Sequence, residues 1–210
     1  MTYYVGLDLG QANDYTAIAV VEEAKLGKRG ESPLHIRHLE RPPLGTYYPE
    51  QVARVKELVS SPELFEKRVD PWSRDEVRAF PNLVVDATGV GRPVVDMLRK
   101  EGLSFSPVLI TGGDIEHHEH GFYRVPKRNL VSSVQIALQS GQLKIAEDLE
   151  LAETLRRELL NFRIKVNIST AHDSYEAWRE GDYDDLVLAV ALACWSTRKH
   201  RGATVYTFRY

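Results

Sequence analysis

The sequence predicts an α/β fold on one mixed sheet, antiparallel hairpin strands followed by parallel strands, flanked by helices. Three observations carry that expectation. Residues 3–9 and 15–22 read as strands, the second β-branched and alanine-rich, and the turn-forming run Gly10-Gln11-Ala12-Asn13-Asp14 joins them into a hairpin. The apolar run Leu83-Val84-Val85 ends in Asp86 and is followed by Ala87-Thr88-Gly89-Val90-Gly91, a helix through Lys100 and a strand over 105–110. Strand, glycine turn, helix and strand in that order make a βαβ unit with parallel pairing and a right-handed crossover. Finally, Asp184-Asp185 opens a helix to about Thr197 that is apolar on nearly every side and must be buried.

The remaining elements follow in chain order. Leu34 to Leu39 alternates apolar with polar and predicts a third, half-buried strand. Pro42-Pro43 breaks the chain, and Val52, Val55, Leu58 and Val59 recur at helical spacing behind Pro49. Pro62 to Pro81 is polar and without a period, and reads as a surface loop with one helical turn. Behind Pro126 a helix carries Leu130, Val134, Ala137 and Leu138 on one face and closes near Gly141; Leu151, Leu155 and Leu159 mark another. Phe162-Arg163-Ile164-Lys165-Val166-Asn167-Ile168 alternates strictly and predicts a strand with its cations on one face. One domain over residues 1–210 is expected, with an additional helical and strand segment at about 142–183.

Composition excludes several classes. The 210 residues are 43% hydrophobic and 27% charged, with 14 Gly and 10 Pro, which is ordinary globular usage and not disordered or collagenous. A lone cysteine, Cys194, excludes an internal disulfide. The longest apolar stretch, Leu186 to Trp195, is far short of the roughly 20 residues that span a bilayer. Residues 1–8 lack a basic segment and reach an acid at Asp8, unlike a signal peptide, so a cytoplasmic setting without membrane partners is expected. The net charge of −3 hides an asymmetry: residues 126–165 hold seven Lys/Arg against five acids, and residues 196–210 hold four against none. That separation is expected of a chain that grips a polyanion in one place and cations in another.

Asp8, Asp86 and the pair Asp184-Asp185 stand at the ends of strongly apolar elements, where an ionised carboxylate is tolerated only if paired or bound to a metal. Each also has a plain structural role open to it. Asp8 could bond the backbone of Gly10 or Gln11, Asp86 could form an Asx turn, and one of the pair could cap its helix. The conjunction favours a site, because parallel neighbours whose connections leave in opposite directions bring their carboxyl ends together at a switch point. Three carboxylates without a spaced His/Cys set favour hard cations, Mg²⁺ or Mn²⁺, which act on phosphates in pairs. An N-cap side chain folds onto its own helix and the next residue is rotated by about 100°, so Asp185 is expected as ligand and Asp184 as cap or outer ligand.

Val5-Gly6-Leu7-Asp8-Leu9-Gly10-Gln11, Asp14-Tyr15-Thr16-Ala17, Val84-Val85-Asp86-Ala87-Thr88-Gly89-Val90-Gly91, Val125-Pro126-Lys127-Arg128 and Asp184-Asp185-Leu186-Val187-Leu188-Ala189 resemble, in that order, the nuclease domain of tailed-phage large terminases. The resemblance spans nearly the whole chain. It implies a ribonuclease H-like fold and a phage- or prophage-encoded endonuclease that cuts double-stranded DNA during packaging in a bacterial host. It further implies two ions, with Asp8 bridging both, Asp86 holding one, and Asp184 or Asp185 completing the set. No Gly-x-x-x-x-Gly-Lys-Ser/Thr loop occurs in these residues, so packaging is not expected of them alone: they are either an isolated nuclease domain or a free-standing prophage-type relative, for which a separate terminase ATPase or portal component is a candidate partner.

Lys127, Arg128, Arg163 and Lys165 are the expected DNA contacts, the last two because alternate positions on a strand lie about 6.6 to 6.8 Å apart, close to successive phosphates. His117-His118-Glu119-His120 reads as a solvated loop rather than a metal site, and Cys194 as inert core. Two other readings remain. Gly6-Leu7-Asp8-Leu9-Gly10 followed by Asp14-Tyr15-Thr16 also looks like the first phosphate hairpin of actin-like ATP-binding proteins, although that architecture needs two lobes. A non-catalytic DNA-binding or assembly subunit derived from a nuclease is the other. Holliday-junction resolvases share the expected fold and acids and differ in preferring branched DNA.

Overall fold

The computed structural model describes residues 1–10, 14–24, 32–70, 72–89, 91–168 and 184–203. Ten strands and five helices are seen among them. The chain opens with β1 (Thr2–Asp8), β2 (Ala17–Glu23) and β3 (Leu34–Glu40), followed by α1 (Tyr48–Val59). A 3₁₀ turn at Pro62–Leu64 leads to β4 (Glu66–Val69) and β5 (Glu76–Ala79), and then to the βαβ unit of β6 (Asn82–Asp86), α2 (Gly91–Lys100) and β7 (Phe105–Thr111). The remaining elements are β8 (His117–Glu119), β9 (Phe122–Pro126), α3 (Lys127–Gln139), β10 (Leu143–Ile145), α4 (Ala152–Ile168) and α5 (Asp185–Ala203).

Eight strands form one mixed sheet in the order β10-β3-β2-β1-β6-β7-β9-β8. The first three strands pair antiparallel, whereas β1, β6, β7 and β9 run parallel. This is the predicted mixed sheet, and its two faces are both covered. Val5, Leu7, Ile18, Val20, Leu83 and Val85 point to the side where Val52 and Val55 of α1 and Val94 and Leu98 of α2 pack. Tyr4, Ala17, Ala19, Val21 and Val84 point to the other, against α5 and the apolar faces of α3 and α4. Strict alternation along β1 and β6 therefore assigns Asp8 and Asp86 to the α5 face, two residues beyond Gly6 and Val84. Residues 186–197 of α5 are buried throughout, which its all-round apolar sequence requires.

Three predicted elements differ. Residues 162–168 continue α4 as helix. Local strand propensity is easily overridden by context. A helix already running from Ala152 gains one hydrogen bond per added residue. Positions two apart on a helix lie about 200° apart around its axis, so the shared-face argument for Arg163 and Lys165 falls. Residues 169–183 of the expected additional segment lie outside the described residues.

The 62–81 loop contains the expected turn but also the two-stranded β4–β5 ribbon. Its residues are mostly exposed on both faces, so no hydrophobic alternation betrays it. His117–Glu119 is likewise a strand, closed onto β9 by His120 and Gly121, both at positive φ, as a two-residue hairpin demands. Among the described residues no helix is long and apolar enough to cross a membrane.

Candidate active site

Parallel pairing places Gly6 beside Val84 and Leu7 beside Val85, and the next step along both strands is Asp8 and Asp86. Neighbouring strands lie about 4.8 Å apart, so the two acids share one end and one face of the sheet. Helix α5 crosses that face antiparallel to β1. A Cβ on Gly6 would stand 1.9 Å from the Ala189 carbonyl oxygen, an approach that only glycine permits. Asp185 lies four residues, about one helical turn, before Ala189, just as Asp8 lies two residues after Gly6. The α5 amino end thus meets the carboxyl end of β1, and Asp184, Asp185, Asp86 and Asp8 converge.

Electrostatics records that convergence. Burial pushes the Asp8 carboxyl well above the ordinary carboxylate range, and the charges of Asp86, Asp185 and Asp184 push it further, while Lys127 opposes them. Asp185 is pushed up to about 7, chiefly by burial; Arg41 opposes, and Asp184, Glu158 and Asp14 add repulsion. Asp8 is 8% exposed and Asp185 7%, so neither is relieved by water.

The plain structural roles divide among these acids. Asp86 does form an Asx turn, its Oδ1 accepting from the Thr88 amide at 2.8 Å, while the Ile110 amide donates to Thr88 Oγ1 at 2.7 Å. A carboxylate has lone pairs to spare for a second role. The Gly10 amide donates to Thr16 Oγ1 at 3.1 Å, so the turn after β1 does not require Asp8. A Cβ at Gly10 would meet the Asp14 carbonyl oxygen at 2.2 Å, which accounts for the glycine.

At α5 the capping expectation needs correction. The Leu188 amide donates to the Asp184 carbonyl, which makes Asp184 the N-cap residue, yet the Leu186 and Val187 amides donate to Glu158 Oε2 of α4, at 3.1 and 3.3 Å. The cap side chain is therefore Glu158, not Asp184. The other oxygen of Glu158 accepts from Arg41 Nη2, which also stands 3.7 Å from Asp185 Oδ2.

Arg41 and Glu158 were missed by sequence reasoning. Glu158 had a signal, being an acid set beside Leu155 and Leu159 on the apolar side of its helix; Arg41, just after β3, had none. Lys127, expected to hold DNA, lies in the acidic site itself, with Nζ 3.8 Å from Asp184 Oδ2. Arg128 lies outside, paired with Asp114 at 2.6 Å. Cys194 is buried with its thiol pushed up to about 12, which suits inert core. The side chains of Arg163 and Lys165 lie outside the described residues.

The donor set fits a hard divalent cation. Asp8, Asp86, Asp184 and Asp185 stand toward the same end of the sheet, Asp8 and Asp185 are buried, and Asp185 Oδ2 is buried without accepting a hydrogen bond among the described residues. Among those residues no three His, Cys, Asp or Glu side chains are already gathered into a cation cage. Arg41 supplies compensating charge to Asp185.

Neither a protein-family model nor a curated protein matches the sequence. Solved structures do. The large terminase nuclease from thermophilic phage G20c superposes with a TM-score of 0.56 at 22% identity, covering 91% of this chain and 80% of that one. The same nuclease with bound magnesium gives 0.59 at 24% identity, covering 92% and 80%. Below 25% identity such a likeness speaks for the fold, and the chain accordingly has the ribonuclease H-like fold seen in the large terminase nuclease of phage G20c.

Proposed function

We propose that this chain is a metal-dependent endonuclease that hydrolyses phosphodiester bonds of double-stranded DNA, using two Mg²⁺ or Mn²⁺ ions. The observation that carries the reading is the convergence of Asp86, Asp184 and Asp185 on a buried Asp8 whose carboxyl they push up. A structural neighbour with bound magnesium supports the choice of ion. When bound, the ions would supply an activated water and stabilise the leaving oxygen of an in-line displacement.

The chain's own residues have distinct tasks. Asp8, Asp86 and Asp185 would hold the ions, with Asp184 outside them. The burial of Asp8 and Asp185 makes the cluster a poor host for four negative charges and a good host for compensating cations. Lys127 at the start of α3 would orient a phosphate entering beside Asp184. Arg128 would contact the duplex backbone further out. The function proposed is phage or prophage DNA packaging, with a separate terminase ATPase or portal as partner.

Plasmid DNA incubated with the purified chain and Mn²⁺ or Mg²⁺ is expected to be nicked or linearised. EDTA and Asp8→Asn should each abolish this, since the amide keeps the shape and removes the charge. Undiminished cleavage by Asp8→Asn would refute the site, and failure to cut linear, circular or branched DNA would favour an assembly subunit.

A further inference from the structure

We propose that Glu158 is a positioning residue for the metal-binding acids: by capping α5 from a neighbouring helix, it keeps Asp184 and Asp185 turned toward Asp8. The inference rests on the metal-binding reading above and adds to it a residue on a different element.

Asp is among the preferred N-cap residues, and its side chain ordinarily accepts from the second or third amide of the helix that it opens. With Asp184 as N-cap, those amides belong to Leu186 and Val187. Both donate instead to Glu158 Oε2. Glu158 is 6% exposed, a costly place for a carboxylate unless it is satisfied. Two amides and Arg41 satisfy it.

The arrangement has a directional consequence. An Asp184 that capped its own helix would fold back over the first turn and draw its charge away from Asp8. Glu158 removes the reason for that fold-back. Its second oxygen engages Arg41, which limits how far the guanidinium can follow Asp185. Outer residues of this kind typically change metal affinity about 10–100-fold when removed.

Three substitutions in the full chain separate reach from charge. Glu158→Ala removes the cap, Glu158→Asp keeps the charge but shortens the reach by one carbon, and Glu158→Gln keeps a carbonyl oxygen at the right distance. Mn²⁺ alone is titrated, and the free ion is followed by electron paramagnetic resonance. Amide exchange at Leu186 and Val187 is measured without metal. Glu158→Ala and Glu158→Asp are expected to weaken Mn²⁺ binding about 10–100-fold and to speed exchange of both amides, whereas Glu158→Gln retains most of the affinity. If Glu158→Ala does not fold, the comparison of Asp with Gln carries the test.

Unchanged Mn²⁺ affinity in Glu158→Asp, or unchanged exchange of both amides, overturns the positioning role. A larger loss in Glu158→Gln than in Glu158→Asp also overturns it, because the carboxylate charge opposite Arg41, and not the reach to the cap, would then be what matters. A wild-type chain that binds no Mn²⁺ but shows faster exchange in Glu158→Asp would refute the metal reading while leaving the cap in place.

Discussion

Gly6 of β1 and Ala189 of α5 touch backbone to side-chain position, with no room for a single added carbon between them. The contact sets how near the acid-bearing end of α5 comes to Asp8. Gly6→Ala would force the helix outward, and overpacking of this kind costs about 1–3 kcal/mol. The expected outcome is a lower denaturant midpoint together with weaker Mn²⁺ binding. Wild-type values of both would show that the close approach is dispensable.

Metal-free stability should carry a distinctive pH dependence. Burial pushes the Asp185 carboxyl up to about 7, against about 3.9 when unfolded, so between those values the folded state holds a proton that the unfolded state has lost. Stability from this group is therefore greatest below about pH 4 and declines as pH rises toward 7. Other carboxylates, among them Glu40, are shifted downward and act oppositely, so the informative quantity is the difference from Asp185→Asn. In EDTA, wild type should lose stability relative to Asp185→Asn over that range, and saturating Mn²⁺ should reverse the trend. A relative gain in EDTA would contradict the assigned burial.

Single Asn substitutions rank the two acids of α5. Asp185 is the more deeply buried and the stronger influence on Asp8, whereas Asp184 faces Lys127. Cleavage and Mn²⁺ affinity should fall further in Asp185→Asn than in Asp184→Asn. The opposite order would make Asp184 the inner ligand.

Lys127 and Arg128 are adjacent in sequence and should separate in function. Lys127→Met is expected to depress cleavage more than duplex affinity, because its ammonium sits among the acids. Arg128→Ala should flatten the slope of log affinity against log salt by about 0.9, the value of one phosphate contact, for every sequence alike. Plasmid cleavage reads the first and fluorescence anisotropy across a salt series reads duplex affinity in both variants; an unchanged slope in Arg128→Ala would remove it from the DNA path.

Legibility from sequence followed the range of the interaction. Asp8, Asp86 and Asp185 stood out in the sequence because the first two end apolar runs and the third opens one, a pattern written in consecutive residues. The β4–β5 ribbon could not, since Lys67, Arg68, Val77 and Arg78 alternate nothing between core and water. Residues 162–168 carried a period of two, but they continue the helix that starts at Ala152. The Arg41, Glu158 and Asp185 cluster joins the end of β3, the middle of α4 and the start of α5. No local pattern encodes a meeting of three such distant points.

The position of β1 at the middle of the sheet has a consequence for how the molecule is made. During translation its first three strands can pair early, but the far edge of β1 must wait for β6, and one face of the sheet must wait for α5. Until then an apolar strand edge stays open, the kind of surface that chaperones shield and that aggregates when left alone. The helix that closes the face is also the one that delivers Asp184 and Asp185, so a nascent chain has no complete acidic site. Core completion and assembly of the site are one late event.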